Sequence, residues 1–528
     1  MTAPKRATTG GEPAGPPPLP PDARDPASAA DVCLILEGSY PFVSGGVSSW
    51  MHNVIRVQSH LTFHLFVISA LPVQRRPKYE LPPNVTGLTE IFVQRMPAGR
   101  GKVPRQKRMF ATLGPALTDL AESGSLDSFT TVVQALAPLR ERLGQDVLMN
   151  SEDAFRLVVA MYRHSLPNTS FLNYFWSWRS LIGGMFACLA APLPQAKVFH
   201  AISTGYAGLV AARAKVELGL PALLTEHGIY TNERRVEILM ADWLEHDTDE
   251  ALSPEAPGRD LRDLWIDTFE AYSRVCYAAM DEIITLYGGN QDLQRQGGAP
   301  PEKLRLIPNG VDCDRWETVA KKPAAEREAG RATIAFIGRV VPIKDVKTFL
   351  RAIAFVHRQL PEVKAVIAGP TDEDPQYARE CRALAQYSGL TDVVEFAGPL
   401  NLLEHMGRFD VVVLTSISEA QPLVVMEAGA CGIPVVATNV GSCAELIYGR
   451  PDEEPRLGAG GAVTPLAAPQ ETGREILRLL TDPVYYNDAA TALQRRMRDH
   501  YDAPLVTAAY RDTYGRYLAA ADAAAAAE

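Results

Sequence analysis

Two glutamates eight residues apart, Glu419 and Glu427, sit in the segment SEAQPLVVMEAGACGIPVVAT, residues 418–438, where an apolar run, DVVVLTS, breaks into a turn and then a helical stretch. Glu419 is expected in the loop at the carboxyl end of the strand, and Glu427 about two turns further along. Backbone N–H groups between Ala420 and Val424 would be free at that helix start, so Ala420, Gln421, Pro422, Leu423 and Val424 form a candidate segment for holding anions and hydroxyl oxygens. The two carboxylates can accept charge-assisted hydrogen bonds from ligand hydroxyls. Paired glutamates at this spacing also arise by chance, as a helix-start acid plus a surface acid. The apolar flanks on both sides weigh against two solvated acids.

Three further groups follow strand ends in the same way. In IGRVVPIKDVKTFLRAI, residues 337–353, a strand ends at Gly338 and Arg339 and Lys344 come next. An Arg fork and a Lys point charge are what a diphosphate needs in a site without a metal, although plain surface charges would look the same. In GSYPFVSGGVSSWMHNVI, residues 38–55, Gly45 and Gly46 precede an apolar-periodic helix. They would let backbone approach a ligand at a helix N-terminus, unless they mark a simple turn. The dinucleotide spacing Gly-x-Gly-x-x-Gly is absent there. In LLTEHGIYTNER, Glu226, His227 and Tyr230 lie at the end of an apolar strand, a position that raises the odds of function for a histidine that is otherwise as often structural.

The elements that must position these groups read as two doubly wound α/β domains. Short apolar runs (DVCLILEG, FHLFVISA, KVFHAI, PALLTEHG, DEIITLY and LRLIPNG) alternate with helical lengths, and a second series (ATIAFIGR, VKAVIAGP, DVVEFAGP, DVVVLTS, PVVATNVGS and GAVTP) repeats the pattern. Open parallel sheets bind ligands at the carboxyl ends of their strands, so two facing domains place a cleft between the four groups. The expected division is a disordered tail at 1–29, a first Rossmann-like domain at 30–315 with a helical insertion near 101–190, and a linker at 316–330. A second Rossmann-like domain at 331–483 follows. Helices at 484–528 are expected to pack back on the first domain and to end in an Ala-rich tail.

The composition of the 528-residue chain, 47% hydrophobic and 22% charged with net charge −10, is that of a globular protein and not of a general nucleic-acid binder. Its seven scattered cysteines include no Cys-x-x-Cys pair and read as reduced thiols. The N-terminus lacks the apolar core of a secretory signal, so a cytoplasmic location is expected. The aromatic segment 171–194 has too short an uncharged stretch to cross a bilayer and reads as a buried helix, with a partner-docking face as the alternative.

Taken together and in this order, the four groups resemble the retaining GT-B glycosyltransferases with a Glu-x7-Glu motif, over nearly the whole chain from Asp31 to about residue 515. LEGSYPFVSGGVSSW, TEHGIYTNER, IPNGVD (residues 307–312) and GRVVPIKDVKTFLRA are similar to the PelF-type subgroup of exopolysaccharide synthesis. The resemblance implies that Arg339 and Lys344 bind the diphosphate of a UDP-sugar, Glu419 the transferred sugar and Glu427 the ribose. It implies a phosphate-side loop at Gly45 and Gly46, a polar contact from His227 near the anomeric centre, and a turn at Asn309 and Gly310 entering the interdomain connection. Ala420 stands where the family usually has Gly, which leaves its backbone N–H in place. No cofactor or metal is implied, and no Asp-x-Asp motif is identified at the cleft. A hexose, from UDP-glucose or a related UDP-hexose, would pass to a growing glycan acceptor, with membrane-bound synthesis and export proteins as partners and recruitment to the inner membrane face. A glycogen- or sucrose-synthase-like transferase using ADP- or UDP-glucose, and an inactive scaffold for membrane partners, are the alternatives.

Overall fold

The computed structural model describes residues 29–38, 40–43, 45–72, 76–240, 259–319 and 331–527. The expected tail, apart from its last residue, and most of the expected linker (320–330) lie outside these residues. Among these residues two all-parallel sheets make up the fold. The first is formed by β1 (Ala30–Glu37), β2 (Phe63–Ser69), β3 (Val85–Phe92), β4 (Ala196–Ala201), β5 (Ala222–Glu226), β6 (Glu282–Thr285) and β7 (Leu304–Leu306), in the order β3-β2-β1-β4-β5-β6-β7. The second is formed by β8 (Thr333–Ile337), β9 (Lys364–Ala368), β10 (Val394–Gly398), β11 (Val411–Leu414), β12 (Val435–Thr438) and β13 (Gly461–Thr464), in the order β10-β9-β8-β11-β12-β13. In both, the first strand lies inside the sheet and the chain reverses direction beside it, between β1 and β4 and between β8 and β11. Ligands gather at such switch points.

Alternation along each strand distributes its side chains between two helical layers. On β1 (Ala30–Glu37), Cys33 and Ile35 face one core, while Val32, Leu34 and Leu36 face another formed by the Gly46–Val57 helix and the last helix. On β8 (Thr333–Ile337), Ile334 and Phe336 divide from Ala335 in the same manner. Strand β3 (Val85–Phe92) was not anticipated: it is a sheet-edge strand, every residue of it is half-buried, and its sequence VTGLTEIF lacks the apolar run of the inner strands.

Between β3 and β4 (Ala196–Ala201) the chain is helical, with helices Gln106–Ser123, Leu126–Leu136, Glu152–Ser165 and Phe171–Ala190 packed in one core with β1 and the helix Tyr206–Leu218. The Phe171–Ala190 helix buries Tyr174, Trp178, Leu181, Met185 and Phe186. Among the described residues, no helix is long and apolar enough to cross a membrane.

The C-terminal helices divide differently from the expectation that they return together. Helix Pro483–His500 stays with the second domain, where Leu493 and Met497 pack with Val425 and Met426. Only Ala503–Ala527 returns, placing Val506, Tyr510 and Tyr514 in the core beneath β1.

The loop carrying Glu419 is fixed from below by Gly441. This residue has φ +50°, and a Cβ on it would fall 2.2 Å from the Glu419 carbonyl oxygen and 2.3 Å from that of Ala420. Because the obstacles are backbone atoms, Gly441→Ala is expected to lower the unfolding free energy by about 2 kcal/mol or more, from the positive φ and the displaced loop together. A shift of the urea midpoint at constant slope checks this, and an unchanged midpoint would contradict it.

Candidate functional site

Glu419 stands in the loop between β11 (Val411–Leu414) and the short helix Leu423–Ala430. Its Oε1 accepts from Ser416 Oγ at 2.7 Å and from Lys344 Nζ. Lys344 closes the turn Pro342–Lys344 after β8, and that turn is tied to the Glu419 loop: Thr415 Oγ1 donates to the Lys344 and Asp345 carbonyls at 3.1 and 2.9 Å, and Ile417 N–H donates to the Ile343 carbonyl at 2.8 Å. Lys344 and Glu419 therefore form one preassembled pair.

Arg339 follows β8 as expected and is held in an ion pair. Its Nη1 donates to both carboxylate oxygens of Glu373, at 2.6 and 2.8 Å, on half-exposed surface. Arg339 follows β8 and Glu373 follows β9 (Lys364–Ala368), and because these strands pair in parallel, their carboxyl-end loops are neighbours. Such an exposed ion pair is weakly held, at roughly 0–1 kcal/mol, so a stronger anion could displace Glu373.

Helix Leu423–Ala430 begins later than a helix containing both glutamates would. Pro422 is its N-cap and has no N–H to offer, so the expected row of free amides is interrupted there. Glu427 lies four residues past Leu423, a rise of about 6 Å, and only this part of the Glu419–Glu427 separation is helical. Burial pushes the Glu427 carboxyl up to about 7, against the opposing pull of Arg315.

A cavity of about 630 Å3 opens between the domains. Glu419, Ala420, Gln421, Leu423 and Glu427 line it from the second domain, and Gly46, His227 and Tyr230 from the first. Asn309 lines it from the connection between them. Gly45, Pro422 and Val424 are not on its wall, and neither Lys344 nor Arg339 reaches it directly. Glu226 is also away from the wall and fully buried: its oxygens accept from Tyr230 N–H at 3.0 Å, Tyr277 OH at 2.9 Å and Gln294 Nε2 at 2.9 Å. It is a buried anchor for the segment that presents His227 and Tyr230. The Tyr230 hydroxyl is itself occupied, donating to Glu37 Oε1 at 2.7 Å.

His227 packs edge-on against Trp50, with ring centroids 4.5 Å apart, and burial lowers its imidazole to about 4, which keeps it neutral near pH 7. Its Nε2 is buried without a hydrogen-bond partner, as are Trp50 Nε1, Gln58 Oε1, Asn309 Oδ1 and Gln421 Nε2, all on residues that line this cavity. A buried polar atom left unpaired costs about 1–3 kcal/mol, so donors and acceptors gathered around one cavity point to a polar ligand that completes them. Gln421 Oε1 and Asn309 N–H meet at 2.6 Å and close the wall across the domain boundary.

Several wall residues were not singled out from the sequence: Trp50, Glu233, Arg315 and, from the returning helix, Tyr510. Trp50 lies on the helix that Gly45 caps and Gly46 opens, which was the available signal. Tyr510 gave none. Asp312 also lines the wall, and with Asp314 it forms an Asp-x-Asp tripeptide that the sequence reading missed. Asp312 Oδ1 caps the helix Cys313–Glu317 through Arg315 N–H at 3.0 Å, and Asp314 pairs with Arg498 at 2.7 Å. No group of three or more potential metal ligands occurs among the described residues.

Glu427 has a folded-state pKa raised from the ordinary 4.5 to about 7, so its protonated form favours the fold. That contribution is complete below pH 4.5 and is lost as pH rises through 7. Glu427→Gln is therefore expected to match the wild type in melting temperature near pH 4.5 and to exceed it at pH 8. Equal melting temperatures at both pH values would contradict the burial assigned to this carboxyl.

Comparison with known proteins agrees with this two-domain arrangement. HepE of Anabaena, solved with UDP and glucose, superposes with a TM-score of 0.52 at 16% identity, over 92% of this chain and 100% of that one. Sucrose-phosphate synthase of Thermosynechococcus elongatus gives 0.55 at 17% identity, over 92% and 99%. These are GT-B structures, and the fold is GT-B. D-inositol 3-phosphate glycosyltransferase 2 of Catenulispora acidiphila is 35% identical over 167 residues, which cover 30% of this chain and 39% of that protein. The D-inositol 3-phosphate glycosyltransferase of Kribbella flavida is 32% identical over 203 residues, covering 36% and 45%. The chain thus spans less than half the length of these curated relatives. Residues 331–482 match the glycosyl transferases group 1 family. Residues 30–302, just over half of the chain, match the family described as a domain of unknown function, DUF3492, and to that family, joined to a group 1 glycosyl transferase domain, this protein belongs.

Proposed function

We propose that the protein is a retaining, metal-independent glycosyltransferase that moves a hexose from a UDP-sugar, UDP-glucose or a related UDP-hexose, to a growing exopolysaccharide of the Pel type. The observation that carries this reading is that Glu419 and Glu427 share the wall of one interdomain cavity with the neutral, unpartnered Nε2 of His227. The group 1 glycosyl transferase match over the second domain supports it, as does the likeness to a protein solved with UDP-glucose. A cavity ringed by unsatisfied donors and acceptors favours a ligand-binding enzyme over an inactive scaffold.

In this reading the nucleoside diphosphate lies along the second domain, with its ribose hydroxyls on Glu427 and the sugar between Glu419 and His227. Lys344, now paired with Glu419, turns toward the diphosphate and stabilises the charge that develops on the leaving group. Arg339 exchanges Glu373 for the same phosphates, with Arg's fork matching a phosphate better than a point charge does. The acceptor hydroxyl attacks from the face the diphosphate leaves, so configuration is retained and the leaving oxygen takes the proton. Membrane-bound synthesis and export proteins would be the partners that receive the product, with the enzyme recruited to the cytoplasmic face of the membrane.

Calorimetry separates the roles of the two glutamates. Glu427→Ala is expected to weaken UDP and UDP-glucose alike by ten- to 150-fold, about 1.5–3 kcal/mol for one charge-assisted hydrogen bond. Glu419→Ala is expected to cut transfer by a similar factor while leaving the UDP dissociation constant nearly unchanged. Equal losses for both ligands in both variants would contradict this partition. Excess EDTA is expected to leave UDP binding and turnover intact; loss on chelation with rescue by magnesium or manganese would overturn the metal-free mechanism.

A further inference from the structure

We infer that Glu445 is a positioning residue that holds the two walls of the cavity at their working separation by capping a helix of the opposite domain. The helix Gly288–Gln296 belongs to the first domain, and its own N-cap, Tyr287, provides no side-chain cap. The acceptor comes instead from the second domain: Glu445 Oε1, on the helix Cys443–Tyr448, takes the Gly288 N–H at 2.9 Å, and the same carboxyl is hydrogen-bonded by the Gly289 backbone. A carboxylate at the positive end of a helix is well placed electrostatically. The fit is close, since a Cβ at Gly288 would stand 3.0 Å from Glu445 Oε1.

What lies behind each partner gives the contact its consequence. On the second-domain side, Ser442 N–H donates to the Ala420 carbonyl at 2.8 Å, and the neighbouring Gly441 sits beneath the Glu419 and Ala420 carbonyls. On the first-domain side, Asn290 Nδ2 donates to the His227 carbonyl at 2.9 Å, and Gln294 Nε2 donates to Glu226 at 2.9 Å. A short run of hydrogen bonds therefore joins the loop bearing Glu419 to the loop bearing His227, with the Glu445–Gly288 contact as the link that crosses between domains. Glu445 is not on the cavity wall, so it acts on the ligand only through these loops. The crossings at 307–313 and 500–506 also join the domains, and the Glu445–Gly288 contact adds a non-covalent link between the two loops that carry Glu419 and His227.

Its effect on catalysis rests on the proposed glycosyl transfer; its effect on the domains does not. The test uses the full chain and compares wild type, E445Q and E445A. Hydrogen exchange followed by mass spectrometry should show exchange at residues 287–296 rising by about tenfold in E445A and less in E445Q, which keeps one acceptor oxygen. UDP affinity should stay within about twofold in both variants, while UDP release from UDP-glucose falls tenfold or more in kcat in E445A. Unchanged exchange at 287–296 in E445A would overturn the inference, and so would a parallel loss of UDP affinity and melting temperature, which marks a merely structural residue. If the wild type neither binds UDP nor consumes UDP-glucose, the glycosyl transfer reading falls, and the exchange measurement still decides whether Glu445 couples the domains.

Discussion

Two crossings of the chain, side by side, hold the sheets so that their carboxyl ends share a cavity, and the rest of the site depends on them. Val311 N–H donates to the Tyr501 carbonyl and Ala503 N–H to the Val311 carbonyl, each at 2.9 Å, so the outgoing and returning strands bind each other at the boundary. Beyond them the last helix is anchored in the first domain by its tyrosines. Tyr514 OH lies 2.8 Å from His200 Nδ1, and Tyr510 OH 3.2 Å from Thr225 Oγ1, all four groups being buried. Tyr510 also packs against Trp50, with ring centroids 5.5 Å apart, and Trp50 in turn supports His227. The returning helix thus fastens the domains together and backs the first-domain wall of the cavity.

From that constraint the character of the cavity follows. Both sheets are covered on their two faces by helices, the returning helix included, so the space between the domains is free to keep polar groups unsatisfied. Among the described residues, the lining carries the carboxyls of Glu233, Asp312, Glu419 and Glu427 against one lining cation, Arg315. Two cations off the lining are engaged in ion pairs: Lys344 with Glu419, and Arg339 with Glu373. A ligand with hydroxyls would meet the carboxyls, and the proposed function has its phosphates draw on those two cations.

The sheets were legible in the sequence because inner parallel strands are buried on both faces and read as apolar runs bounded by turns, as in DVVVLTS and DVCLILEG. Edge strand β3 was not, since half-exposed residues give no such run. The positions of Glu419 and His227 after strand ends, and of Glu427 on the helix that follows, were readable for the same reason, because position after a strand is a local property. Partners were not readable. Glu226 looks like its neighbour His227 in sequence, yet Tyr277 and Gln294, more than fifty residues away, enclose it. Arg339 looks like Lys344, yet only the pairing of β8 with β9 sets Glu373 beside it. The role of Tyr510 depends on where a helix lands after crossing a boundary, which no local pattern encodes.

In the proposed function one nucleotide sugar spans the cavity from Glu427 to His227. The most direct measurement is a crystal structure of the chain soaked with UDP-glucose. The expected result is the ribose hydroxyls within hydrogen-bond distance of Glu427, the diphosphate contacted by Lys344, and the hexose between Glu419 and His227. A nucleotide bound outside the interdomain cavity, or lying in it with the base and sugar ends reversed, would contradict it.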